Sequence, residues 1–105
     1  MDQAAINELI SFLKQSLIDN GIKVDSIALF GSALSGLVAI DSDIDLIIIS
    51  KDFDNLDIFE RAKLTMKSET ATQKKFRIPM DIINLSYEEF KDSNIKAFYK
   101  YRIVA

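Results

Sequence analysis

The chain contains no cysteine and no histidine. Without cysteine there can be no disulfide and no thiolate metal site. Without histidine it lacks the commonest zinc ligand and the side chain whose ordinary pKa best suits acid–base work near neutrality. Any metal must therefore be a hard cation held by oxygen ligands, with magnesium the first choice. Excess positive charge is missing too. Thirteen basic residues meet sixteen acidic ones, for a net charge of −3 and a pI near 4.8. That argues against nucleic acid as a partner, since phosphate-backbone binders carry a basic face. It leaves room for a small anionic substrate delivered with metal ions. No apolar run approaches the roughly 20 residues of a membrane span, and the acidic, amphipathic opening "MDQAAINELI" carries no export signal. A cytoplasmic protein is expected, with no membrane partner.

What is present is a globular composition, 49% hydrophobic and 28% charged over 105 residues. That length suits a single domain, 1–105, with one core. Ile6, Leu9, Ile10, Leu13, Leu17 and Ile18 recur at three- and four-residue spacings, which predicts an amphipathic helix over 3–19. Gly21 is placed to stop it. "SIALF" predicts a strand that breaks at "GSALSG", a turn or helix start. "DIDLIII" predicts a second strand, apolar on both faces beyond Asp45 and so covered on both sides. "KDFDN" reads as a polar loop. Leu56, Phe59, Ala62, Lys63, Met66 and Thr70 make a helical stripe over 56–72. Pro79 opens a third strand, "PMDIINL", where a first-position proline is tolerated. Ser86 with "YEEF" predicts a capped helix. The tail "NIKAFYKYRIVA" predicts a further helix, or a helix running into a short strand. The expected fold class is α/β (α+β), a small mixed sheet of about three or more strands flanked by helices.

Three features carry chemistry. Gly31 and Ser32 follow a buried strand directly. Glycine lets a ligand approach the backbone, and a helical turn beyond it offers free amides to an anion. By itself a "GS" is an ordinary turn. Asp43 and Asp45 alternate, so their carboxylates share one face, with β-carbons about 6–7 Å apart. Such a pair can hold one or two divalent cations, or be a solvated strand end. Asp81 is a lone acid in an apolar strand. Burying it unpaired costs several kcal/mol, which a cation shared with Asp43 and Asp45 would offset if the strands are neighbours. Otherwise it lies at an exposed strand end.

Taken together, G-S-x(10)-D-x-D, an apolar strand and a later strand with a third aspartate resemble the minimal nucleotidyltransferases. These are small relatives of the DNA polymerase β catalytic core. "LFGSALSGLVAIDSDIDLIII" and "PMDII" carry the likeness. The resemblance implies the nucleotidyltransferase fold and specific roles. Gly31 and Ser32 would hold the triphosphate of ATP or another NTP. Asp43 and Asp45 would ligate two Mg2+ ions. Asp81 would ligate the ion nearer the acceptor and help deprotonate the attacking hydroxyl. An NMP, AMP first among them, would pass to an acceptor hydroxyl with release of pyrophosphate. The resemblance also implies a partner: small transferases of this kind pair with helical HEPN toxins, and adenylylate a tyrosine of the toxin as antitoxins. A homo-oligomer is the alternative partner.

The family turn commonly reads G-S-x-A-R-G. Here Ser35 replaces the arginine and Leu34 the small residue. Lys51, Lys74, Lys75 or Arg77 could supply the missing cation. Two rival readings follow: a degenerate transferase that only binds its partner, and an unrelated α/β binding module with solvated aspartates. Asp41 extends the acidic alternation as a spectator. Lys74, Lys75 and Arg77 form a basic cluster suited to a solvated loop, or to phosphate or partner contact. Tyr87, Phe90, Phe98, Tyr99 and Tyr101 enrich the C-terminal fifth in aromatics, most of them core.

Overall fold

Helix α1 spans Gln3–Asp19, and its apolar stripe is the reason it forms where it does. Ile6, Leu9, Ile10, Leu13 and Leu17 are buried against the sheet. Ile18, expected in the stripe, is 46% exposed, because it falls one residue past the buried row. Gly21 ends the helix with φ +85°, and the Ile22 amide donates to the Leu17 carbonyl over the turn. These details belong to a computed structural model, which describes residues 3–31, 43–92 and 101–105.

Among the described residues four strands follow: β1 (Ser26–Phe30), β2 (Ile44–Ile49), β3 (Met80–Leu85) and β4 (Tyr101–Ile103), ordered β3-β2-β1-β4. β1 is antiparallel to β2 and β4, while β2 and β3 run parallel. The parallel pair needs a crossover, and α2 (Ile58–Phe76) supplies it. The result is the expected α/β architecture around a mixed sheet. Ile27, Leu29, Ile44, Leu46 and Ile48 face α1 in the main core. Ala28, Ile47 and Ile49 face the other way, onto Phe90 of α3 (Tyr87–Asp92). Each of the two inner strands is thus covered on both faces, as the unbroken "LIII" required. The tail ends in a short strand at the sheet edge; the helix expected before it lies outside the described residues.

Local chemistry sets the remaining boundaries. Asp57 and Glu60 close a reciprocal capping box at the start of α2. Ser86 and Glu89 do the same for α3: the Ser86 amide donates to Glu89 Oε1 at 2.9 Å, and the Glu89 amide to Ser86 Oγ at 3.2 Å. Pro79 stands just before β3, where its carbonyl accepts from Ile44.

Two expectations need correction. The segment expected as a polar loop after β2 is a 3-10 turn, Lys51–Phe53, whose Phe53 is fully buried in the main core. Ser50 makes this work: its side chain accepts the Asp52 amide and donates to the Lys23 carbonyl, which folds the turn back over the core. The second correction concerns α2. Its apolar stripe faces outward, with Phe59 72% and Met66 59% exposed. The buried face is polar: Arg61, Thr65, Ser68 and Thr72. Each finds partners there. Arg61 donates to the Leu56 and Asn84 carbonyls, pairs with Glu89 at 2.7 Å and lies over the Phe53 ring. Asn20 of the α1 terminus donates to Ser68 Oγ, and Thr72 donates to the Ser68 carbonyl.

Candidate functional site

The site is built where three strands share one end of the sheet. β1 finishes there at Phe30, and β2 and β3 begin there. The register sets Asp45 opposite Phe30 on one side and opposite Asp81 on the other. Asp45 and Asp81 belong to adjacent parallel strands, about 4.8 Å apart, and point to the same face. Asp43 precedes Asp45 by two residues and is exposed on that side. The three candidate acids thus gather at one corner, on the face that carries α3. Asp81 sits on the edge strand and is exposed; Asp45 is half-buried.

Electrostatics record the crowding. The Asp45 carboxyl is raised above its usual pKa, first by burial, then by the charge of Asp81 and of Asp43. Among the described residues, the one ion pair is Arg61–Glu89, so no basic side chain neutralises the three acids. Among the described residues, no group of three acidic side chains stands close enough together to hold a metal ion. The backbone fixes the Asp45–Asp81 pair, with Asp43 beside it. An all-oxygen, unneutralised donor set of this kind suits a hard divalent cation.

Gly31 completes the corner. Its φ is +76°, a region side-chain-bearing residues avoid. A Cβ built there would collide with Asp45 Oδ2 and stand 3.4 Å from its Cγ. Glycine is therefore favoured by the backbone angle, and any Cβ there would push the Asp45 carboxylate aside. Ser32, with Leu34, Ser35 and Asp41, lies outside the described residues.

The four cations named as substitutes for the missing arginine are separated by the fold. Lys51 follows β2 at the far end of the sheet. Lys75 lies over the Phe12 and Phe76 rings, 4.5 Å and 5.6 Å from their centroids. Arg77 is the left-handed cap of α2, φ 54°, its amide bonded to the Gln73 carbonyl. Lys74 lines a cleft of about 470 Å3 together with Asp81. Glu69, Thr70 and Gln73 from α2 and Met80 and Ile82 from β3 complete that cleft. Sequence reading passed over Glu69 and Gln73. Their one sequence signal is the spacing to Lys74, and it carries meaning only once α2 is laid beside β3. Glu69 is partly buried and its carboxyl is raised, by burial first, against a lowering hydrogen bond from Thr65.

Comparison with known proteins bears on the family and the fold. No curated protein matches the sequence closely enough to count as a relative. Solved structures do match. One from Sulfolobus solfataricus, described as a candidate nucleotidyltransferase, is 22% identical with a TM-score of 0.56, over 98% of this chain and 87% of its own. A second candidate nucleotidyltransferase is 27% identical with a TM-score of 0.56, over 90% of this chain and 95% of its own. A third match is to the complex of a tri-AMPylated HEPN toxin with an MNT antitoxin from Shewanella oneidensis. It is 23% identical with a TM-score of 0.55, over 100% of this chain and 72% of that one. The family description "nucleotidyltransferase domain" matches residues 6–105. With that match spanning nearly all of its length, the chain belongs to the nucleotidyltransferase domain family.

Proposed function

We infer that the chain, as one domain over 1–105, transfers an NMP, AMP in the first instance, from an NTP to an acceptor hydroxyl. The acceptor on this reading is a tyrosine of a helical, HEPN-type protein. The observation that carries the reading is the pairing of Asp45 with Asp81 across β2 and β3, with Gly31 packed against the Asp45 carboxylate. Gly31 and Ser32 hold the triphosphate, Gly31 by letting phosphate oxygens reach the backbone amides. Asp43, Asp45 and Asp81 would hold two Mg2+ ions, which when bound would lower the pKa of the acceptor hydroxyl and neutralise charge on the phosphates. Asp81, on the exposed edge strand, stands on the acceptor side and takes the hydroxyl proton. The acceptor oxygen then bonds to the α-phosphorus as the bridging bond to the β-phosphate breaks, and pyrophosphate leaves.

Lys74 supports the reading from a second direction. It is the basic residue that shares a cleft with Asp81, and it can steady phosphate where the turn has Ser35 instead of arginine. The likeness to the Shewanella complex supports a HEPN-type partner. A cytoplasmic location agrees with a need for NTP and magnesium, and among the described residues no helix is long and apolar enough to cross a membrane.

Ser35 favours a second reading, a subunit that binds its partner without turnover. Two measurements separate them. Calorimetric titration should detect ATP binding that needs magnesium and is lost in Asp43→Ala. Label from α-labelled ATP should reach the purified partner. Binding without transfer would favour the inert subunit; absence of both would overturn the transferase reading.

A further inference from the structure

The outward stripe of α2 has no role in the core. Phe59 and Met66 are 72% and 59% exposed, while the helix packs inward through hydrogen-bonded polar residues. Apolar side chains in such a row are covered when a partner is bound. Lysines rim them: Lys63, Lys67 and Lys74, spaced four and seven residues apart, all exposed on the same flank. The neighbouring acids are turned elsewhere. Glu60 is folded back to cap the helix at Asp57, and Glu69 is turned to Thr65. This face is therefore positive on a chain whose net charge is −3.

The face also runs toward the cleft between α2 and β3. Lys63, Met66, Lys67, Thr70 and Lys74 line a groove along the outside of the helix. Thr70 and Lys74 line in addition the cleft that holds Asp81. From Met66 to Lys74 is about 12 Å along the helix.

We propose that the outward face of α2 is the docking surface for the acceptor protein, and that its occupant is an amphipathic helix with acidic flanks. The apolar row of that helix covers Phe59 and Met66, and its carboxylates meet Lys63 and Lys67. A second copy of this chain, docked face to face, would set lysines against lysines. The proposal rests on the transferase reading for its acceptor step but not for its binding step.

The test uses full-length chain and three fluorescent helical peptides, each with one tyrosine. The first has an apolar row with glutamate flanks, the second the same row with lysine flanks, the third glutamate flanks with a serine row. Anisotropy at physiological salt should show the first binding at least about tenfold tighter than either other. Met66→Glu and the Lys63→Glu, Lys67→Glu pair should each weaken it at least about tenfold, while magnesium-dependent ATP binding stays at the wild-type level. These positions are exposed, and circular dichroism checks that the variants are folded. Equal binding of the three peptides, no binding, insensitivity to the variants, tighter binding of a single-stranded RNA oligomer, or self-association through this face would each overturn the proposal. Failure of the wild type to bind ATP would instead overturn the transferase reading and leave the peptide result standing.

Discussion

Asp45 and Asp81 are direct partners across the parallel strands β2 and β3, so two carboxylates face the same way on neighbouring backbones. A folded chain gains nothing from that repulsion by itself. The raised pKa of Asp45, due to burial and then to Asp81 and Asp43, is its signature. Folding binds a proton to Asp45 more tightly than the unfolded chain does. Stability therefore falls as pH rises from the ordinary carboxylate range, near 4, through the raised value. In metal-free buffer, Asp45→Asn should melt at a higher temperature than wild type at neutral pH, and the gap should close below about pH 4. The same variant should lose nucleotide transfer. Equal melting temperatures at pH 7 would contradict the account of the repulsion.

Gly31→Ala should fail on two counts. The residue would be forced into a left-handed angle and into the Asp45 carboxylate. A stability loss of about 1–2 kcal/mol is expected from the angle. Magnesium-dependent ATP affinity should fall further than that loss explains, since Asp45 must turn away. Titration calorimetry beside thermal melts separates the two effects.

Arg61→Ala should destabilise the fold without touching the chemistry. It strips donors from the part-buried Leu56 and Asn84 carbonyls and removes the ion pair of Glu89. A loss of about 2–3 kcal/mol is expected in urea unfolding. Correctly folded variant should bind ATP normally.

Glu89 gives the opposite pH sign to Asp45. Its carboxyl is held below the usual range, first by the Ser86 amide, and also by Arg61 and the Ser86 hydroxyl, with burial opposing. Its stabilisation is present above about pH 4 and disappears as pH falls through the lowered value. The group is half exposed, so Glu89→Gln should cost about 1 kcal/mol or less at pH 7. Wild type and variant should converge once pH has fallen through that lowered value.

The local signals were read well because they are local. Helix α1 and strand β1 have the bounds their periodicity predicts, and the capped helix after Ser86 is present. The stripe on α2 shows where such reading stops. The 3.6-residue period was real, but period says which residues share a face and not which face meets the core. Phe53 was hidden for a related reason: four polar neighbours mask one aromatic whose burial depends on a turn folding back. At the site, Gly31, Asp43 and Asp45 were legible from spacing. The nearness of Asp81 was not, because strand register is a tertiary fact. Nor was Lys74 separable from Lys51, Lys75 and Arg77 until α2 was set beside β3.

The central claim is that Asp45 and Asp81 share a divalent ion. Manganese, titrated into the chain with a non-hydrolysable ATP analogue and followed by electron paramagnetic resonance, counts bound ions directly. About two ions should bind per wild-type chain and about one fewer in Asp81→Asn. Unchanged manganese binding in Asp81→Asn, or none in the wild type, would contradict the account.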